Sequence, residues 1–280
     1  MTAPDSSRKT VLITGSTDGV GRLVAGSLAA AGARVLLHGR SAEKGERVLR
    51  ELRAATGSDK LEYYNADLSS LDQVRDLAKA VSGGYERLDI LINNAGIGFG
   101  RDRTQREISG DGHELRFAVN YLSGFLLTGL LLPVLIRSAP ARIVNVASAG
   151  QHAIDFDDVM LERGYEGTRA YRQSKLAQVM FTFDLAEELK GTGVTVTCLH
   201  PGTFMNTNMV AESGITPVTP VEDGAEAILR LAVAPELEGQ TGLYFNGKQP
   251  ARADAQAYDA EARRRLRALS LGLTKLPLQG

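Results

Sequence analysis

The chain has 280 residues, of which 43% are hydrophobic and 23% charged, a composition that excludes a disordered or fibrous protein and suffices for one large α/β domain. Its formal charge of −1 at pH 7 leaves no net basic field to attract a nucleic-acid backbone or an anionic membrane surface. A single cysteine, Cys198, excludes an intrachain disulfide and a cysteine-built zinc site, and its apolar neighbours mark it as a small core residue.

The first ten residues are polar and lack the apolar stretch of a secretory signal, so the cytoplasm is the expected location. A strand is predicted at 11–13, a helix over 20–31 with Gly32 as its stop signal, and a second strand at 35–37. Further short runs rich in Val, Ile and Leu predict strands near 61–64, 90–92, 143–146, 194–199 and 243–245. Helical patterns lie between them at 43–56, 71–82, 114–136, 171–190 and 222–234. This alternation predicts an α/β fold: one Rossmann-type doubly wound domain over 1–280, with a mostly parallel seven-stranded sheet flanked by helices. Its core spans 9–250, and 251–280 forms an extra C-terminal helical extension. The arginines at 263, 264, 265 and 267 there are read as a solvated helix face. The apolar stretch 121–136 contains Ser123, Thr128 and Pro133 and falls short of the roughly 20 residues a membrane span needs, so it is read as a buried helix.

The stretch Thr14-Gly15-Ser16-Thr17-Asp18-Gly19-Val20-Gly21 directly follows the first strand and opens a helix. Glycines there permit a tight turn and close approach of a pyrophosphate to backbone amides. At the end of the second strand an NAD site places a carboxylate, whereas an arginine accommodates a 2′-phosphate. This chain reads His38-Gly39-Arg40-Ser41, offering no acid and one planar cationic fork, so NADP(H) is favoured over NAD(H). Asp18 counts slightly against this if its charge faces the phosphate. The four histidines show no paired ligand spacing, and no metal is predicted.

Further along come Ala66-Asp67-Leu68, Asn93-Asn94-Ala95-Gly96, Asn120, Ser148, Tyr171-Arg172-Gln173-Ser174-Lys175 and Pro201-Gly202. With the glycine-rich turn, this ordered set resembles the short-chain dehydrogenase/reductase family. The segments Asp111-Gly112-His113-Glu114-Leu115 and Phe117-Ala118-Val119-Asn120 look most like its retinol dehydrogenase and carbonyl reductase branch. The resemblance implies that Asp67 and Leu68 lie by the adenine and Asn94, Ala95 and Gly96 line the cofactor cleft. It also implies that Pro201, Gly202 and Thr203 approach the nicotinamide carboxamide. Ser148, Tyr171 and Lys175 would be catalytic, Tyr171 and Lys175 also touching the cofactor, and Asn120 would complete a proton relay.

The chemistry accounts for these residue types. Reducing a carbonyl needs a hydride from a nicotinamide and a proton from the protein. An unperturbed tyrosine, with a pKa of about 10, is a poor base. Lys175, four residues after Tyr171, shares its helix face and would favour the phenolate by charge. Ser148 would donate to the substrate oxygen. It cannot be a hydrolase nucleophile, since Val146-Ala147-Ser148-Ala149-Gly150 lacks the glycine that an elbow requires.

The segment 152–168 is longer than in many members of the family and is expected to form one pocket rim. The resemblance implies that insertions here can cover a helix face otherwise used in dimers, leaving monomer or homodimer open. Candidate substrate contacts are Ser148, Tyr165, Phe204, Met205 and Met209, with Ile97 and Phe99 beside them. They suit a bulky, largely apolar carbonyl or alcohol. The competing reading is a catalytically idle dinucleotide-binding regulatory protein. The intact Ser148, Tyr171 and Lys175 set speaks against it.

Overall fold

Side chains of a strand alternate between two faces, so apolar strands covered on both sides feed two separate cores. In the computed structural model, which describes residues 8–277, Leu12, Leu36 and Leu91 enter one core. Val11, Ile13, Val35, Leu37, Ile90 and Ile92 enter the other. The polar leader through Ser7 and the last three residues of the expected C-terminal extension lie outside the described residues.

The strands are β1 (Thr10–Ile13), β2 (Arg34–Gly39), β3 (Leu61–Asn65), β4 (Ile90–Asn93), β5 (Ala141–Val146), β6 (Val194–His200), β7 (Leu243–Asn246) and β8 (Gln249–Pro250). They form one sheet in the order β3-β2-β1-β4-β5-β6-β7-β8, parallel except for the last pair. Among the described residues eight strands form where seven are predicted. The extra one is two exposed residues folding back against Phe245 and Asn246, with no apolar pattern to announce it. Its proline is tolerated because an edge strand need not donate outward.

The helices are α1 (Gly19–Ala30), α2 (Ala42–Thr56), α3 (Leu71–Gly84), α4 (Ser123–Arg137), α5 (Gly167–Glu188), α6 (Asn208–Glu212), α7 (Val221–Val233) and α8 (Ala260–Thr274). Helices α1, α2 and α7 cover one face of the sheet; α3, α4, α5 and part of α8 cover the other. Helix α5 starts four residues before its predicted N-terminus because the Glu166 carboxylate accepts the amides of Thr168 and Arg169, at 2.9 and 2.7 Å. The predicted helix 114–136 runs without a break, widening into a π turn over Phe117–Leu122 before continuing as α4.

The stretch Phe117–Arg137 is long and apolar enough to cross a membrane, but 72% of its apolar window is buried inside the protein. The expected solvated face of α8 is corrected in part. Arg263 and Arg267 turn onto Glu187, Asp184 and Glu188 of α5, clamping α8 to it, while Arg264 and Arg265 stay outward. Tyr121 and Ser270 hydrogen-bond at 2.7 Å inside the same contact. Segment 152–168 joins this layer through Ile154, whose amide and carbonyl both bond the Gln256 carboxamide.

Candidate active site

The strand order reverses around β1 and β4, and a crevice opens beyond their C-terminal ends. The Thr14 hydroxyl accepts the amides of Asn94 and Ala95, both at 3.0 Å, while the Asn94 side chain donates to the carbonyls of Thr14 and Gly15. Gly15 adopts a φ of +65°, and a Cβ there would lie 2.8 Å from the Ala95 Cα. At Gly21 a Cβ would fall 2.4 Å from the Asn94 amide nitrogen. A side chain at either position would therefore collide with the Asn94–Ala95 segment or the turn itself, so the turn packs this tightly only as glycine. Ser16 is buried beneath, Thr17 lies against Gly39, and Val20 anchors the helix start in the core.

His38 fixes this turn from below. Its Nδ1 accepts the Gly15 amide at 3.1 Å, so Nε2 carries the proton and donates to the Ala66 carbonyl at 3.1 Å. Burial pushes its pKa down to about 4, keeping the ring neutral. Sequence reasoning gave His38 no role; its place one residue before Gly39 was the available signal.

At the outer end of the crevice, Arg40 and Ser41 are exposed, and the Ser41 hydroxyl caps α2 by accepting the Lys44 amide. Asp18 caps α1 through Gly19, receives the Lys44 ammonium at 2.6 Å and accepts from Asn208. Partial burial raises the Asp18 pKa, but Lys44 and the Gly19 amide overcome it and hold the carboxyl below its ordinary range. Its charge is thus already matched by Lys44. Asp67 turns back to cap the Ser69 amide and stays partly exposed, and Leu68 lies buried behind it.

At the inner end, β5 delivers Ser148 and α5 delivers Tyr171 and Lys175. The Ser148 hydroxyl accepts the Gly150 amide at 3.0 Å, and burial raises the Tyr171 phenol pKa against the lowering effect of the neighbouring Ser148. The Lys175 Nζ lies 5.7 Å from the Tyr171 ring centre and donates to the Val146 carbonyl and the Gln178 carboxamide, both at 2.9 Å. Burial pushes this amine down to about 7. A Cβ at Gly96 would touch the Asn120 side-chain oxygen at 3.3 Å and Nζ at 3.5 Å, which places this glycine against both side chains.

Asn120 stands in the widened π turn, where an extra residue per turn redirects a side chain. Its oxygen accepts the Ile97 amide at 2.8 Å, and its nitrogen donates to the Ile97 carbonyl and to Ser174, which in turn donates to the Tyr171 carbonyl. Asn120 therefore ties the crevice wall to the helix bearing Tyr171.

Pro201 is buried, Gly202 half-buried and Thr203 exposed, with the Thr203 hydroxyl 3.0 Å from the His200 Nε2. The segment after them reaches across the crevice. Thr207 lies against Gly19, Asn208 binds Asp18 and Met209 lies against Gly98. Met205 packs inward between Gly202 and Gly224, while Phe204 is 40% exposed. On the opposite rim Phe99 meets the Tyr171 ring edge-on at 4.8 Å.

Tyr165 does not offer a free hydroxyl. It bridges two buried residues that sequence reasoning did not select, accepting from Arg116 and donating to Glu114, both at 3.0 Å. Arg116 further binds Glu107 at 2.6 Å and the Gly98 carbonyl at 3.2 Å. This brace joins the rim loop carrying Phe99 to segment 152–168. The two charges Glu114 and Arg116 at the start of the predicted helix 114–136 were the only sign of it.

The description short chain dehydrogenase matches residues 9–217. The chain belongs to the short-chain dehydrogenase family. Retinol dehydrogenase 13 of Homo sapiens is 40% identical to it, over 96% of this chain and 85% of the relative. Retinol dehydrogenase 11 of Homo sapiens is 37% identical over 96% and 87%. The chain is thus a short-chain dehydrogenase of the retinol dehydrogenase branch. Among solved structures, an uncharacterised protein of Mycobacterium paratuberculosis matches with a TM-score of 0.81 and 32% identity, over 99% of this chain and 98% of that one. The Pseudomonas aeruginosa RhlG/NADP active-site complex matches with a TM-score of 0.72 and 31% identity, over 88% and 97%. Family membership makes the chain an oxidoreductase with a nicotinamide dinucleotide site, in keeping with the glycine-rich turn.

Proposed function

We propose that this short-chain dehydrogenase uses NADP(H) to interconvert a ketone or aldehyde and the corresponding alcohol on a bulky, largely apolar small molecule. The observation that carries the reading is the convergence of Ser148, Tyr171 and Lys175 beyond a glycine-rich turn that leaves no room for a Cβ at Gly15 or Gly21. Arg40 and Lys44 at the outer end of the crevice support the choice of the phosphorylated cofactor, as does the likeness to the Pseudomonas aeruginosa RhlG/NADP complex.

The crevice would hold the dinucleotide along Gly15, Gly19 and Gly21, with Asp67 and Leu68 by the adenine, Asn94 to Gly96 along the wall and Pro201 to Thr203 by the nicotinamide. When bound, the cofactor supplies or removes the hydride at the carbonyl carbon. In reduction Tyr171 gives its phenolic proton to the substrate oxygen, and Ser148 donates a hydrogen bond to that oxygen as negative charge builds on it. Lys175, as ammonium, lowers the cost of the phenolate that remains. In oxidation the same proton returns to Tyr171. Phe99, Phe204 and Met209 give the rim its apolar character. A cytoplasmic location belongs to the same reading; the burial of the stretch Phe117–Arg137 within the protein argues only against its use as a membrane span.

The test is a panel of carbonyls and alcohols, spanning aromatic, steroid, retinoid and polyketide-like compounds, followed by NADPH absorbance. Turnover of apolar members with NADP(H), lost in Tyr171→Phe, is the expected result. Turnover confined to sugars or charged acids, or to NADH, would contradict the proposal.

A further inference from the structure

Lys175 has an unusual setting for a charged group. It is 4% exposed, and among the described residues it forms no ion pair with a carboxylate. The titratable groups facing it are Tyr171 on its own helix and His200 at the end of β6, whose pKa is held down by burial and then by the Lys175 charge. From β5 it meets only the Val146 carbonyl. The remaining partner is Gln178, one turn along α5 and itself 4% exposed. An ammonium only donates, so the carboxamide oxygen of Gln178 must face it, leaving the carboxamide nitrogen as a donor directed elsewhere.

A second chain of hydrogen bonds fixes the other side. The Thr182 hydroxyl donates to the Gln178 carbonyl at 2.8 Å, so it accepts from the Asn145 amide nitrogen. The Asn145 oxygen then accepts from the Asn93 nitrogen, which also donates to Thr128. These directions leave the Asn93 Oδ1 as a buried acceptor without a protein partner. Asn93 and Gln178 line the same small pocket, with about 10 Å³ of water-sized space, together with Thr14, Asn120 and Gly124. That volume is at the lower bound for one ordered water, and the unpartnered Asn93 oxygen and the Gln178 carboxamide belong to its lining residues.

We propose that Gln178 is a positioning residue for Lys175, its carboxamide held between the lysine ammonium and one ordered water that also donates to Asn93. The proposal rests on the reductase reading above. With burial pressing Lys175 toward its neutral form, this neutral acceptor governs how much of the charge survives at neutral pH. Loss of the acceptor lowers the lysine pKa, weakens support for the Tyr171 phenolate and so raises the pH at which alcohol oxidation sets in.

The experiment is the pH profile of kcat for alcohol oxidation in Gln178→Met, which keeps the side-chain volume and removes the acceptor. The acid limb is expected to move up by about one pH unit, with kcat about tenfold lower below that limb and KM little changed. Gln178→Asn, one methylene shorter, is expected to shift it less in the same direction and serves if the methionine variant does not fold. A high-resolution crystal structure of the unsubstituted protein is expected to show one water between Gln178 and Asn93. An unmoved profile in a folded variant, or a dry cavity, overturns the proposal while Tyr171→Phe remains inactive. Full activity of Tyr171→Phe overturns it together with the reading beneath it.

Discussion

The two ends of the crevice handle charge in opposite ways. At the outer end Asp18, Arg40, Lys44 and Asn208 stand partly or wholly in solvent, and opposite charges lie side by side. At the inner end Lys175 carries the nearest cationic group to Tyr171 into the core with only neutral acceptors for company. Exposed charges are screened and contribute specificity more than stability. Buried ones respond strongly to each single partner. The outer end is therefore suited to choosing a cofactor, and the inner end to setting proton affinity.

The largest effect expected at the outer end is on cofactor choice. Arg40→Asp replaces a cationic fork by a carboxylate beside the 2′-phosphate, so the NADPH Kd should rise about 100-fold while that for NADH changes by no more than about threefold. Fluorescence titration of both cofactors checks it, and equal losses would erase the distinction drawn between the two ends.

Beneath the glycine-rich turn, His38 offers an intermediate effect. Its folded pKa of about 4 lies below the ordinary value of 6.5, so the unfolded chain binds the proton more tightly. The stabilisation is complete above that ordinary value and is lost as pH falls from there toward 4. At pH 5 the loss is about 2 kcal/mol. Urea unfolding at pH 7 and pH 5 should show this drop, and His38→Gln should lessen it. A pH response unchanged by the substitution would show that the turn does not depend on a neutral ring.

The smallest effect concerns the rim. Tyr165→Phe removes the hydroxyl shared by Arg116 and Glu114 but leaves that ion pair, 3.5 Å apart, in place. Substrate KM should rise about threefold with kcat within about twofold, and stability should fall by about 1 kcal/mol. A fall in kcat with constant KM would instead place Tyr165 in the proton chemistry.

What the sequence made legible follows the same division. Strands β1 to β7 and the long helices were readable because buried parallel strands and amphipathic helices write their burial into apolar spacing. The glycine-rich turn was readable because it lies within a few residues of a strand end, and Arg40 was legible only as a position after β2, its proposed part in cofactor choice resting on that position. The two-residue β8, the short α6 and the π turn at Asn120 carry no such period. Arg116, Glu107, Glu114 and Tyr165 come from three segments that only tertiary packing brings together, and Gln178 looks like any polar residue of a helix until Lys175 is seen to point at it.

The most direct measurement is single-turnover hydride transfer by Tyr171→Phe with the best substrate of the wild-type protein. The phenol ring and its edge contact with Phe99 are retained, and only the proton-bearing hydroxyl is removed. The rate should fall on the order of 10³-fold while NADPH affinity stays within about threefold. Hydride transfer at the wild-type rate would contradict the assignment of Tyr171 as the acid and base of this site.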